Sequence, residues 1–159
     1  NNATYAKFGI SVSISDDTIA VGASGERSNL TTITNGTTAS DDNSYNQSGA
    51  VYVYKRTGTN WAQEAYIKAV NNSSSGRGNF GYSVAVYKDT LVVGSYEENS
   101  NQTTITNGTT ASDDSSSENS GAVYVYKRSG TNWTQEAYIK AANNDSEDAF
   151  ARFLSLSGC

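Results

Sequence analysis

The chain repeats itself. Gly49–Ala69 reads GAVYVYKRTGTNWAQEAYIKA and returns at Gly121–Ala141, where only Thr57 becomes Ser129 and Ala62 becomes Thr134. The offset, from Gly49 to Gly121, is 72 residues. Phe8-Gly9 recurs at Phe80-Gly81, and Thr31–Asp42 recurs letter for letter at Thr103–Asp114. A fixed period of this length means tandem copies of one supersecondary unit, each burying its apolar face on the next.

Within a unit the apolar residues alternate. Phe8–Ile14 puts Ile10, Val12 and Ile14 on one face and Ser11 and Ser13 on the other, the period of a strand. Ser15-Asp16-Asp17 is a tight turn, and Thr18–Ala23 is a second short strand. A long polar segment, Ser24–Ser48, precedes a third strand, Ala50–Arg56. The turn Thr57–Asn60 leads into a fourth, Trp61–Ala69, with Ala65 and Ile67 facing one way and Glu64, Tyr66 and Lys68 the other. Four short antiparallel strands, repeated in tandem, predict an all-β fold: a β-propeller of four-stranded blades. A β-solenoid is the competing arrangement. The blades span residues 1–79, with a long loop at 25–48, and 80–149, with a long loop at 97–120. Residues 150–159 begin FARFLSLS, the pattern of the first strand of a third blade. Within each long loop, Asn-Gly between Thr-rich flanks (Thr31–Thr38, Thr103–Thr110) predicts a β-hairpin finger with a type I′ turn.

A net charge of −5 argues against nucleic acid as a partner. No apolar run approaches the length of a transmembrane helix. With no signal peptide in view, the chain is expected to be mature, processed or excised. Histidine is absent, which removes imidazole acid–base chemistry, Ser–His triads and His-ligated metals. Cys159 is the single cysteine and forms no internal disulfide.

The motifs Phe8–Ser13, Ile19–Ser24, Gly49–Tyr54 and Trp61, with their second copies Phe80–Val84, Val92–Ser95, Gly121–Tyr126 and Trp133, resemble the FG-GAP repeat family, the blades of integrin-α-like propellers, and most closely its bacterial secreted and surface branch. The resemblance implies an extracellular or cell-surface, non-catalytic binding or adhesion scaffold whose partner is a protein or glycan. Two departures stand out. The proline of the GAP element is missing, as Gly22-Ala23-Ser24 and Gly94-Ser95-Tyr96 show. The family's Asp-rich calcium loop has no counterpart, because Ser15–Asp17 and Tyr87–Asp89 are too short to wrap a cation that wants six to eight oxygens.

In a propeller blade the second-to-third and blade-to-blade connections share one face, and here those are the long ones. That face is expected to be acidic, carrying among others Glu26, Asp41, Asp42, Glu97, Glu98, Asp113 and Asp114 against Arg27 and Arg77. The Thr-rich fingers make Thr32, Thr34, Asn35, Thr104, Thr106 and Asn107 the candidate ligand-binding residues. Asp41, Asp42, Asp113 and Asp114 are candidates for a weak Ca²⁺ site, with no other cofactor expected. Tyr52, Tyr54, Tyr124 and Tyr126 are expected to fill the space between blades, and Trp61 and Trp133 to be structural. Two blades do not close a ring of about four to eight. The chain is therefore either a piece of a longer propeller or a subunit whose copies assemble into a ring, fibre or surface layer.

Overall fold

The computed structural model describes residues 4–73 and 78–158. Arg77 and Cys159 lie outside them. The strands are β1 (Phe8–Ser15), β2 (Thr18–Ala23), β3 (Ile33–Asn35), β4 (Ala50–Thr57), β5 (Asn60–Ile67), β6 (Ser83–Tyr87), β7 (Thr90–Ser95), β8 (Ile105–Asn107), β9 (Ala122–Ser129) and β10 (Asn132–Ile139). They form two antiparallel sheets, ordered β1-β2-β4-β5-β3 and β6-β7-β9-β10-β8. The sheets pack side by side as adjacent blades and are not closed into a ring. One hydrophobic cluster joins them, with Ala20, Val53 and Ile67 from the first meeting Phe80, Val84 and Trp133 from the second.

The all-β class and the strand–turn plan follow the sequence, but each sheet has five strands rather than four. The predicted finger does not form. Ile33, Thr34 and Asn35 pair instead with Ile67, Tyr66 and Ala65 on the outer edge of β5, and Ile105–Asn107 pair in the same way with β10. The edge of β5 carries N–H and C=O groups that need partners, and that need outweighs the local turn preference of Asn-Gly. Gly36, at φ +111°, ends the strand while its N–H donates to the Glu64 carbonyl at 2.6 Å. The Gln63 side-chain amide then holds the returning chain, donating to the carbonyls of Gly36 and Thr38 at 3.2 and 2.9 Å. The long loop thus lies against the rim of its own blade.

Alternation also fails inside β5. The register against β4 skips Glu64, with Gln63 opposite Tyr54 and Ala65 opposite Val53. Beyond this bulge Ala65, Tyr66 and Ile67 are all buried, Ala65 and Ile67 in the cluster that joins the sheets and Tyr66 on the opposite face beside Tyr52.

The expected first strand of a third blade is absent. Phe150 makes an isolated parallel bridge to Gly121, as Phe80 does to Gly49, and residues 151–158 form no strand. The close approach of that inner segment explains a glycine. A Cβ on Gly22 would lie 1.9 Å from the Gly81 carbonyl oxygen, so only glycine lets the second blade settle on the first.

Candidate functional site: the long-loop face

The chain runs from β2 to β4 and from one sheet to the next at the same end of the molecule. The short β1–β2 and β4–β5 turns lie at the other end, where the Arg56 N–H donates to the Asp17 carbonyl at 2.8 Å. The predicted asymmetry of the two faces is therefore present. Its chemistry differs from expectation at two of the acids.

Glu26 and Glu98 are buried rather than displayed to solvent. Lys68 Nζ donates to Glu26 Oε2 at 2.6 Å and to Ser48 Oγ at 2.8 Å, and both side chains of the ion pair are fully buried. Glu26 Oε1 also accepts from the Ser28 N–H at 3.1 Å. Lys140 repeats the arrangement, reaching Glu98 Oε2 and Ser120 Oγ at 2.7 Å each. Burial pulls the Lys68 ammonium below its usual range, and the Glu26 carboxylate pulls it back. Each pair pins the start of a long loop to the end of the fourth long strand. Lys68 is buried although it shares the face of Tyr66 opposite Ala65 and Ile67, because the segment after the bulge is covered on both sides. The sequence did carry a signal. Glu26/Glu98 and Lys68/Lys140 keep their charges in both units, whereas Arg27 becomes Asn99.

The loops are further ordered by two aspartates. Asp42 Oδ2 accepts from the N–H groups of Asn29 and Ser44 and from the Ser44 hydroxyl at 2.9, 3.2 and 2.7 Å. Asp114 Oδ1 accepts from Asn101, Ser116 and the Ser116 hydroxyl at 3.0, 3.1 and 2.8 Å. The Ser44 hydroxyl above all holds the Asp42 carboxyl below its usual range, and the Ser116 backbone N–H does the same for Asp114. Asp41 and Asp113 are exposed beside them. Among the described residues, no group of three or more carboxylate or thiol side chains is arranged to hold a metal.

The six candidate ligand residues do not form one patch. Thr32, Thr34 and Asn35 lie on or beside β3, at the rim of the first sheet, and Thr104, Thr106 and Asn107 on or beside β8, at the rim of the second. The hydroxyls of Thr104 and Thr106 accept from the Gln102 side-chain amide at 2.8 and 2.6 Å. Asn35 instead joins the sheets. Its Oδ1 accepts from the Trp133 N–H at 2.8 Å and its Nδ2 donates to the Trp133 carbonyl at 3.4 Å.

A small cleft that the sequence did not reveal opens between the segment joining the two sheets and the second long loop, lined by Asn71, Asn72, Glu97, Asn99, Asp113 and Tyr124. Asn71 braces it. Its Nδ2 donates to the Ser112 carbonyl at 2.6 Å and to Glu98 Oε1 at 3.2 Å, while its Oδ1 accepts from the Tyr124 hydroxyl at 2.6 Å. Glu97 accepts from the Asn79 side-chain amide at 2.5 Å. Amides, carboxylates and one phenol suit hydrogen bonding to hydroxyl or peptide groups.

The signature of the FG-GAP repeat matches residues 1–54 and 61–126. The chain belongs to the FG-GAP repeat family. No curated protein and no solved structure matches it. FG-GAP repeats are in general non-enzymatic adhesion or structural modules and are typically extracellular. Among the described residues no helix is long and apolar enough to cross a membrane.

Proposed function

We propose that this FG-GAP chain is a non-catalytic extracellular binding scaffold that contacts a protein or glycan at a cell surface through its long-loop face. The observation that carries this reading is the cleft between Asn71, Glu97 and Asp113, whose walls are pinned by the buried Glu26–Lys68 and Glu98–Lys140 pairs. A binding surface on loops held by a rigid sheet is a common arrangement, and pinned loops lose little entropy when a ligand orders them. Thr32, Thr34, Thr104, Thr106 and Asn107, on or beside the short edge strands, supply further contacts, while Asn35 acts indirectly by fixing the second sheet.

The test is binding of the labelled chain to an immobilised glycan array and to a panel of surface and matrix proteins. Any ligand found is then titrated against Glu97→Ala and Asp113→Ala. We expect each to weaken binding about tenfold or more, the scale of a charge-assisted hydrogen bond, with the strand signal in circular dichroism unchanged. Binding that is indifferent to both, but lost on replacing Tyr87 or Lys88 at the tight-turn end, would place the contact surface on the opposite face.

A further inference from the structure

The joint between the two sheets runs through a chemically reactive pair, Asn35-Gly36. A glycine nitrogen has no side chain beside it to block its approach to the side-chain carbonyl of the preceding asparagine. When the backbone is free to bend, that nitrogen attacks Cγ. A nitrogen–carbon bond forms, the side-chain amide leaves as ammonia, and a five-membered succinimide remains. Water then adds at either carbonyl of the ring and opens it. The products are aspartate and isoaspartate, in which the main chain runs through the former side chain. One water is consumed and one ammonia released, with no oxidant or cofactor.

The fold holds both reacting groups away from each other. The Gly36 N–H donates to the Glu64 carbonyl at 2.6 Å, so the nitrogen is directed at β5. The Asn35 amide is fixed on the other sheet, where Oδ1 accepts from the Trp133 N–H at 2.8 Å and Nδ2 donates to the Trp133 carbonyl at 3.4 Å. The main chain of Asn35 is itself paired with Ala65. Attack on Cγ therefore requires the amide to leave Trp133 and the end of β3 to lift from β5. A strand of three residues can do this locally, without global unfolding. Asn35 is exposed at the rim, so water reaches the site as soon as a ring forms.

The products cannot restore what was lost. Aspartate at this position still accepts from the Trp133 N–H, but it has no N–H for the Trp133 carbonyl and sets a negative charge against that oxygen. Isoaspartate adds a main-chain carbon before Gly36, which breaks the register of β3 with Ala65 and the bond to Glu64. Either product weakens the joint whose closure had prevented the reaction.

We propose that Asn35 is a latent self-modification site, shut while the two sheets are joined, and that its deamidation makes a lasting separation of the sheets permanent. Brief opening is harmless, because the clamp closes again before the slow ring closure. Prolonged opening is recorded in the covalent structure, and the opened state is then drawn off irreversibly.

Peptide mapping of the Ser28–Lys55 tryptic fragment, with isoaspartate detection, tests this in a mildly alkaline buffer. Three samples are compared: the folded chain, the chain in urea, and Glu64→Ala. That variant removes the acceptor shared by Trp133 Nε1 and Arg128 but keeps the main-chain carbonyl that holds Gly36. Asn35 should react at least about thirtyfold more slowly in the folded chain than in urea, the scale of breaking two ordinary hydrogen bonds. Glu64→Ala should fall between the two; if circular dichroism shows it unfolded, the first comparison decides alone. Asn35→Asp, which carries the direct product, should lower the folding equilibrium constant about tenfold. A chain aged in urea should refold fully only in the fraction that still carries Asn35. Equal rates in the folded chain and in urea would overturn the protection. Unchanged stability of Asn35→Asp together with full recovery of the aged chain would overturn the permanence.

Discussion

Trp61 and Trp133 occupy the same place in two nearly identical sheets, and their circumstances are opposite. Trp133 is buried against the first sheet, its indole N–H bonded to Glu64 and its ring 5.3 Å from the Arg128 guanidinium carbon. Trp61 has a similar arginine, Arg56, at 5.6 Å, but no sheet in front of it. The local sequence is almost the same, so burial here is decided by the neighbour. A repeat protein's stability divides into terms within a unit and terms between units, and the two tryptophans separate these terms experimentally.

The strongest perturbation should be alkaline pH. Burial raises the hydroxyl pKa of Tyr52, Tyr66, Tyr124, Tyr126 and Tyr138 above the usual value of 10. A tyrosine whose pKa is raised by folding stabilises the fold fully below pH 10 and less as the pH rises above it. Each costs up to about 1.4 kcal/mol per pH unit beyond that point. Lys68 and Lys140, pulled down by burial, act in the opposite sense but are only two. We expect cooperative unfolding above pH 10, with phenolate absorbance and loss of strand signal appearing together. Phenolate forming gradually while the strand signal stays intact would mean the tyrosines are accessible.

Trp133→Ala should cost about 3–5 kcal/mol in a urea titration, as large aromatic truncations in cores do, and Trp61→Ala under about 1 kcal/mol. Equal losses would abolish the contrast. Lys68→Ala strands the Glu26 carboxylate and should cost about 3–5 kcal/mol. Replacing both partners, Glu26→Gln with Lys68→Met, should recover much of that loss, because burying a charge pair is itself expensive. Asn35→Ala should cost about 1–2 kcal/mol through its two bonds to Trp133, while Asn107→Ala should be close to neutral. The smallest effect sharpens the comparison in the other direction. The Tyr126 hydroxyl is buried without a hydrogen-bond partner among the described residues. Tyr126→Phe should therefore raise stability by about 1 kcal/mol, and Tyr54→Phe should leave it unchanged.

The parts that the sequence made legible are those governed by period. β1, β2, β4 and β5 follow from alternation and turn residues, and the 72-residue repeat supplies their second copies. The parts it hid depend on distant partners. Thr31–Thr38 has every local mark of a hairpin, yet β3 forms because β5 has an edge to fill. Phe150–Ser157 alternates well, but a strand needs a partner, and among the described residues only Phe150 finds one. Glu26 and Lys68 are 42 residues apart, and nothing local to either predicts a buried pair. The cleft was invisible for the same reason, since Asn71 lies in the segment joining the sheets and Glu97 and Asp113 at two ends of the second long loop. Asn35, singled out for its place in the Thr-rich segment, turns out to hold the sheets together.

The short fifth strand has one more consequence. The outer edge of a β-sheet is where unrelated molecules zip together, and a crowded exterior makes that hazard constant. Ile33–Asn35 and Ile105–Asn107 cover Ala65–Ile67 of β5 and Ala137–Ile139 of β10, so the outer edge is broken into a three-residue strand and the uncovered start of the longer one. A rim broken into such short pieces gives an incoming strand little length to pair with along either sheet.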